Sequence, residues 1–353
     1  MEKKKKIIFY YPDMYVGGVE MAILNLAKRI YKDYDLYFFY KSISDLNLAK
    51  QYNQYGVMRN IADLKLDMEC DVLIYCSLWL EREDPCQYIR ARQRFLWTHA
   101  VIPQAGNKFY HLPTMRKIDR IIVVSDAVNE SIPRRLYCGK FDDRIYTINN
   151  ILNTEEIKEK AQLETPHLEL AKDLNICTVA RISHEKGWLR IKLLCEELQK
   201  LNIDFKWFII GEGYIPEDVH RIHLMLDKIP QIEFLGKQLN PFSYVKQMDY
   251  SALLSDYESW GLVITEAKIL GVPVIVSDFP AAYEQIEDDF NGVIVPRKDY
   301  SDYNKIAKRI VENKKLYKNG IKDFDYEKVN EISLQNWKKL LDSERNGKIV
   351  SII

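Results

Sequence analysis

The chain is predicted to be an α/β protein of two domains, each a parallel sheet covered by helices on both faces. Short β-rich apolar runs alternate with helical stretches along most of its 353 residues, which is the rhythm of a buried parallel sheet. The rhythm pauses from about Asn153 to Lys172, a polar stretch holding Pro166, and then restarts, as a boundary between domains should. With 47% apolar and 29% charged residues, the chain has material for two cores and is not expected to be disordered. A cleft between the two domains is the expected ligand site.

The first domain is expected over residues 1–152. Its strands are Ile7 to Tyr11, Leu36 to Tyr40, Val72 to Cys76, Phe95 to Thr98 and Ile121 to Val124, each a short β-branched or aromatic run. Gly17-Gly18 opens a helix to Tyr31, and Ala127 to Tyr137 reads as another. Arg90, Arg92 and Arg94 alternate in a way that suits a strand approach with one polar face. Residues 153–172 read as a linker region. The second domain, residues 173–325, has strands at Asn175 to Ala180, Phe205 to Ile210, Ile232 to Leu235, Tyr250 to Leu254 and Val274 to Val276. A closing helix is expected from about Tyr326 to Leu341, within a last segment of about residues 326–353.

The chemistry concentrates in Ser255 to Glu266, SDYESWGLVITE. Leu262 to Leu270 runs at helical spacing, so Gly261 falls near a helix start whose unpaired amides favour phosphate. Glu258 and Glu266 would repel phosphate, and as carboxylates they suit sugar hydroxyls instead. Upstream, Arg181 follows the strand Asn175 to Ala180, and Glu185-Lys186-Gly187 opens a helix. Two cations at the carboxyl end of a parallel strand are placed to neutralise a diphosphate. The pattern points to a sugar joined to a phosphate.

Arg181, Glu185-Lys186-Gly187, Gly211-Glu212-Gly213, Phe234-Leu235-Gly236 and the Glu258/Glu266 pair, in this order, resemble the carboxyl-terminal half of the retaining glycosyltransferases of family 4, which have the GT-B fold of two Rossmann-like domains facing a cleft. Tyr15-Val16-Gly17-Gly18-Val19-Glu20 resembles that family's amino-terminal glycine loop, and His99 its active-site histidine, so the likeness covers nearly the whole chain. It implies that Glu258 meets the donor sugar and Glu266 the nucleotide ribose. It also implies that Arg181 and Lys186 meet the diphosphate and that His99 lies near the sugar. The donor is expected to touch Gly17, Gly18, Gly211, Leu235, Ser259, Gly261, Leu262 and Val263 as well, with base contacts from Phe234 to Lys237. The closing helix is implied to return to the first domain. The reaction so implied moves a hexose, most commonly from a UDP-sugar, to an acceptor hydroxyl with retention. No metal or other cofactor is expected, because Arg181 and Lys186 already bring the positive charge. The alternatives are an epimerase or phosphorylase-like enzyme on the same fold, or a silent sugar-nucleotide-binding partner of another transferase.

Other classes are disfavoured. No G-x-G-x-x-G follows the first strand, against a dinucleotide-dependent dehydrogenase. The six cysteines include no C-x-x-C pair, giving no support to a zinc site or disulfide framework. Asp323-Phe324-Asp325 matches a metal-binding D-x-D, but its place before the closing helix favours capping. The apolar run Ile7 to Tyr11 is too short for a signal-peptide core, and no span approaches the ~20 apolar residues that cross a bilayer, so a cytoplasmic protein is expected. Net charge is zero, yet residues 1–160 hold 25 Lys and Arg against 21 Asp and Glu. Arg116-Lys117 and Arg134-Arg135 give this half basic groups suited to an anionic membrane surface. The expected partners are therefore a nucleotide-sugar donor, a saccharide or lipid-linked saccharide acceptor selected by the loops from His99 to Pro113, and that surface, with no nucleic acid.

Overall fold

The computed structural model describes residues 3–15, 17–64, 68–76, 84, 86–99, 117–132, 144–164 and 167–344. The chain divides into two compact units, Met1–Leu152 with Glu327–Ile353, and Asn153–Tyr326.

In the first unit the strands are β1 (Lys6–Tyr10), β2 (Asp13–Met14), β3 (Asp35–Tyr40), β4 (Ser42–Ile43), β5 (Val57–Asn60), β6 (Met68–Tyr75), β7 (Ile89–Thr98), β8 (Arg120–Val123) and β9 (Ile145–Thr147). Seven of them form one sheet in the order β5-β3-β1-β6-β7-β8-β9, and β2 pairs with β4. All pairings are parallel, with Ile7 opposite both Leu36 and Val72. The central strands are apolar on both faces and fully buried, as in Ile7, Ile8, Val72 to Ile74 and Phe95 to Trp97, because helices cover both sides. Arg90, Arg92 and Arg94 do lie in β7, where Ile89 and Gln93 are buried and Arg90 and Arg92 exposed. The helix expected over Ala127 to Tyr137 is described over Asp126–Ser131, capped by the Ser125 hydroxyl, which accepts from the Val128 amide.

The helix Glu327–Asp342 belongs to this first unit. Trp337 packs edge-on against Trp97 of β7 with ring centres 4.7 Å apart, and Asn330 bonds both the amide and the carbonyl of Leu152. The helix's last carbonyls are taken up by side chains of the sheet. Arg120 donates to Leu340 O, Lys5 to Leu341 O and Asp342 O, and Gln93 to Ser343 O. This is how a helix end with no partner of its own is satisfied.

In the second unit, β10 (Leu174–Val179), β11 (Phe205–Ile210), β12 (Ile232–Gly236), β13 (Tyr250–Leu253), β14 (Val274–Ser277) and β15 (Gly292–Val295) form a parallel sheet in the order β12-β11-β10-β13-β14-β15. Helices Trp188–Lys200 and Tyr303–Glu312 pack together over a core that includes Trp207, Tyr250 and Tyr317. One expectation is corrected here. Residues 153–172 are not all linker, because Thr154–Ala161 is a helix capped by the Asn153 side chain and packed on helices Phe242–Val245 and Leu262–Ile269. Its apolar face is only Thr154, Ile157 and Ala161, too sparse to stand out against TEEIKEKA. No described helix is long and apolar enough to cross a membrane.

Candidate functional site

The order of the second sheet reverses between β10 and β13: the chain leaves β10 for β11 and β12 on one side, then returns to place β13 on the other. Ligands of open α/β sheets bind outside the carboxyl ends of strands at such a switch point. Arg181 and Lys186 follow β10, and Glu258 and Gly261 follow β13, so the sheet brings the two motifs to one edge. The loops are locked together. Gly187 has φ +72°, and a Cβ there would sit 1.7 Å from the carbonyl oxygen of Leu254, so only glycine permits the approach. The Asp256 amide donates to Glu185 O at 2.7 Å.

Lys186 Nζ lies 2.7 Å from Glu258 Oε1, which also accepts from Ser255 Oγ at 2.7 Å. The lysine and glutamate side chains are only 14% and 16% exposed. The expected phosphate cation and the expected sugar acceptor thus form an ion pair with each other. Arg181 is 63% exposed and 3.5 Å from Glu185, free to reach solvent-borne anions. Glu185 is buried; burial opposes its ionisation, but the Ser183 hydroxyl, its own amide and the Lys186 and Arg181 charges hold its carboxyl below the ordinary range.

Helix Leu262–Ile269 starts from Gly261 at φ +80°. Among the described residues no carbonyl accepts from the Leu262 or Val263 amide, so both are available beside Ser259 as anion donors. The loop is braced from behind by Trp260 Nε1, which donates to Thr265 Oγ1, and by Thr265 Oγ1 donating to Gln285. Glu266, one helical turn on, is partly buried and has no ion pair among the described residues. Burial pushes its carboxyl up to about 7, against a smaller opposing pull from Lys160. Among the described residues no side chain donates to it, so its oxygens keep acceptor capacity.

Gly211 follows β11 at φ +150°, where a Cβ would lie 1.9 Å from Ala180 O, so the close approach of the chain past the β10 and β11 ends requires glycine. Leu235 is partly buried on β12. Phe234, expected to stack on a base, already stacks on His223 with ring centres 4.0 Å apart and packs on the core.

In the first unit, Gly17 and Gly18 follow β2, Gly17 as the N-cap and Gly18 as the first residue of helix Gly18–Ile30. The Glu20 carboxylate accepts from the Tyr15 amide at 2.8 Å, and a Cβ on Gly17 would lie 2.9 Å from Glu20 Oε2. A buried acid therefore occupies this helix start, which suits hydroxyls and opposes phosphate. His99 follows β7 beside Trp97, ring centres 4.5 Å apart, and its Nε2 is buried with no partner among the described residues. Burial pushes the imidazole down to about 3, so it is neutral at ordinary pH. Val16, the loop from residue 100 to 113, Arg116, Arg134 and Arg135 lie outside the described residues. Lys117 is described, 3.8 Å from Asp84.

The sequence reading passed over Arg190, Asp256 and Arg297, which surround the Glu258 loop. The signal for Arg190 was available: it shares the buried face of its helix with Ile191, Leu194 and Leu198, where a charge is costly unless bound.

Residues 160–323 match the family described as Glycosyl transferases group 1. An uncharacterized glycosyltransferase of Haemophilus influenzae is 22% identical over 372 residues, covering 96% of this chain and all of that one. An N-acetylgalactosaminyltransferase of Campylobacter jejuni acting on a diphospho-undecaprenol-linked saccharide is 28% identical over 49% of this chain and 47% of its own. Among solved structures, Anabaena HepE in complex with UDP and glucose superposes with a TM-score of 0.76 at 15% identity, covering 96% of this chain and 100% of that one.

Proposed function

From the premise that the chain is a glycosyltransferase of the GT-B fold, we propose that it transfers a hexose from a UDP-sugar to an acceptor hydroxyl with retention of configuration. The observation that carries this reading is the Lys186–Glu258 pair at the β10/β13 switch point, flanked by exposed Arg181 and by the amides of Leu262 and Val263. Cations and amides take the diphosphate; Glu258 takes the sugar hydroxyls; Glu266 takes the ribose. As the bond to the leaving UDP breaks, negative charge grows on its β-phosphate, and preorganised donors stabilise that charge, by several kcal/mol where water is excluded. Arg181 and Lys186 supply the charge a divalent ion would otherwise bring, and the reading includes no metal.

The acceptor is read as a saccharide or a lipid-linked saccharide of polysaccharide or glycolipid assembly, supported by what the Campylobacter relative acts on. Action at the inner face of a membrane accords with this and with the basic groups of the first 160 residues. The test is incubation with UDP-hexoses and saccharide acceptors, reading UDP release, product mass and anomeric configuration. UDP release with an α-linked product from an α-linked donor supports the proposal. Inversion, or binding without turnover against every acceptor, rejects it, the second outcome favouring a silent nucleotide-sugar-binding partner.

A further inference from the structure

Arg190 lies in helix Trp188–Lys200 with a side chain only 6% exposed. Its Nε donates to Leu254 O at 2.7 Å, its Nη1 to Arg297 O at 3.2 Å, and its Nη2 to Asp256 Oδ1 at 2.5 Å. Arg297 donates in turn through Nη1 to Asp256 O and through Nε to Asp278 Oδ1 at 2.7 Å. The Ser277 hydroxyl donates to Ser255 O. The carbonyls of Leu254, Ser255 and Asp256 are thus each held by a side chain from a different element, and Glu258 follows two residues later. A buried guanidinium is expensive to desolvate and is weak evidence for stability. What it supplies is a planar fork whose donors fix several acceptors at once.

We propose that Arg190, acting with Asp256 and Arg297, is a positioning residue that holds the loop after β13 so that the Glu258 carboxylate stands at the reacting sugar. Arg190 reaches the sugar only through that loop. The inference rests on the reading of Glu258 as the sugar contact, and it adds a group outside the family-like motifs.

Arg190→Lys keeps the charge but loses the fork, while Asp256→Asn keeps the shape of a half-exposed side chain and removes one charged bond. Both should lower kcat for UDP-hexose turnover by ~10- to 100-fold, the scale of a small misplacement of a catalytic group. The dissociation constant of free UDP should stay within about twofold, since Arg181, Lys186 and Glu266 are untouched. The double variant should lose little more than either single one, as expected for groups acting as a unit. Amide exchange of the empty protein, read over residues 254–258, should rise in both variants while the rest of the sheet stays protected. Unchanged kcat in a folded Arg190→Lys protein would overturn the proposal, as would kcat, UDP affinity and global exchange protection failing together. Should the wild type turn over no UDP-hexose, the functional reading falls instead; the exchange experiment then still decides whether Arg190 holds the loop.

Discussion

Glu258 and Glu266 stand eight residues apart in sequence, but their surroundings differ, and the proposed function gives them different work. Glu258 is charge-paired with Lys186, whereas Glu266 is partly buried with no ion pair among the described residues, and burial outweighs the pull of Lys160 to push its carboxyl up to about 7. A contact that strengthens as the bond breaks governs turnover, and one equally strong before and during the reaction governs donor affinity. Glu258→Gln should therefore lower kcat with little change in donor KM, and Glu266→Gln should weaken UDP binding with kcat largely kept. A hydrogen bond to a charged group contributes about 1.5–3 kcal/mol, or one to two decades, in each case. Steady-state kinetics and UDP calorimetry check both. The raised carboxyl of Glu266 adds a pH dependence. In the proposed contact a ribose hydroxyl would donate to the carboxylate form, so UDP-hexose affinity should rise from pH 5.5 to 7.5, with a proton released on binding near pH 6. Glu266→Gln should flatten that rise. UDP-hexose is the probe because free UDP has a terminal phosphate that titrates in this range. For folding the sign is opposite: the folded chain holds a proton that the unfolded chain releases above about 4.5, so Glu266 favours the fold at low pH and this contribution is lost as pH rises towards 7. The placement of Arg181, Lys186 and Glu258 past the carboxyl ends of β10 and β13 was legible in the sequence because each follows closely on an apolar strand run. Arg190 was not, since its partners are backbone carbonyls and Asp256, more than sixty positions away, and no spacing rule links them.

At the scale of elements, the glycine at 187 is where two loops become one site. Gly187→Ala would force a methyl group into Leu254 O and impose a left-handed backbone on a residue that resists it. The loop after β13 has to give way, and both Lys186 and Glu258 lose register. Activity should fall more steeply than thermal stability, measured by turnover alongside a melting curve. A second prediction concerns the closing helix. Trp337→Ala empties the space against Trp97 and should cost about 3–5 kcal/mol of first-unit stability, visible in denaturant unfolding, while UDP affinity of the second unit is retained. The interior strands could be read directly from the sequence because a strand buried on both faces is a continuous apolar run, as in FKWFII of β11. Val57–Asn60 and Ile145–Thr147 escaped that reading. They are the edge strands of the first sheet, partly exposed, and an edge needs no apolar run to be held by one neighbour.

Across the whole molecule, charge is balanced in sum and uneven in distribution. Residues 1–160 carry the excess of Lys and Arg, and the remainder an excess of Asp and Glu. If the first unit faces anionic lipid, co-sedimentation with phosphatidylserine vesicles should fall as salt rises, because screening acts over ~8 Å at physiological ionic strength. Neutral vesicles should leave the protein in the supernatant.

The closing helix has a consequence in time. The first unit is interrupted: its sheet is complete by Leu152, but Trp337 and Asn330 belong to Glu327–Asp342, with the whole of Asn153–Tyr326 between. On the ribosome, that intervening stretch takes roughly 10–35 s to make at ~5–20 residues per second. During that interval Trp97 has no tryptophan against it, and Arg120, Lys5 and Gln93 have no helix end to hold. The second unit is continuous in sequence and meets no such delay. Synthesis from the amino terminus should thus finish the later unit first, and a nascent chain released before residue 327 should bring down chaperones through its first unit while its second already protects its amides from exchange.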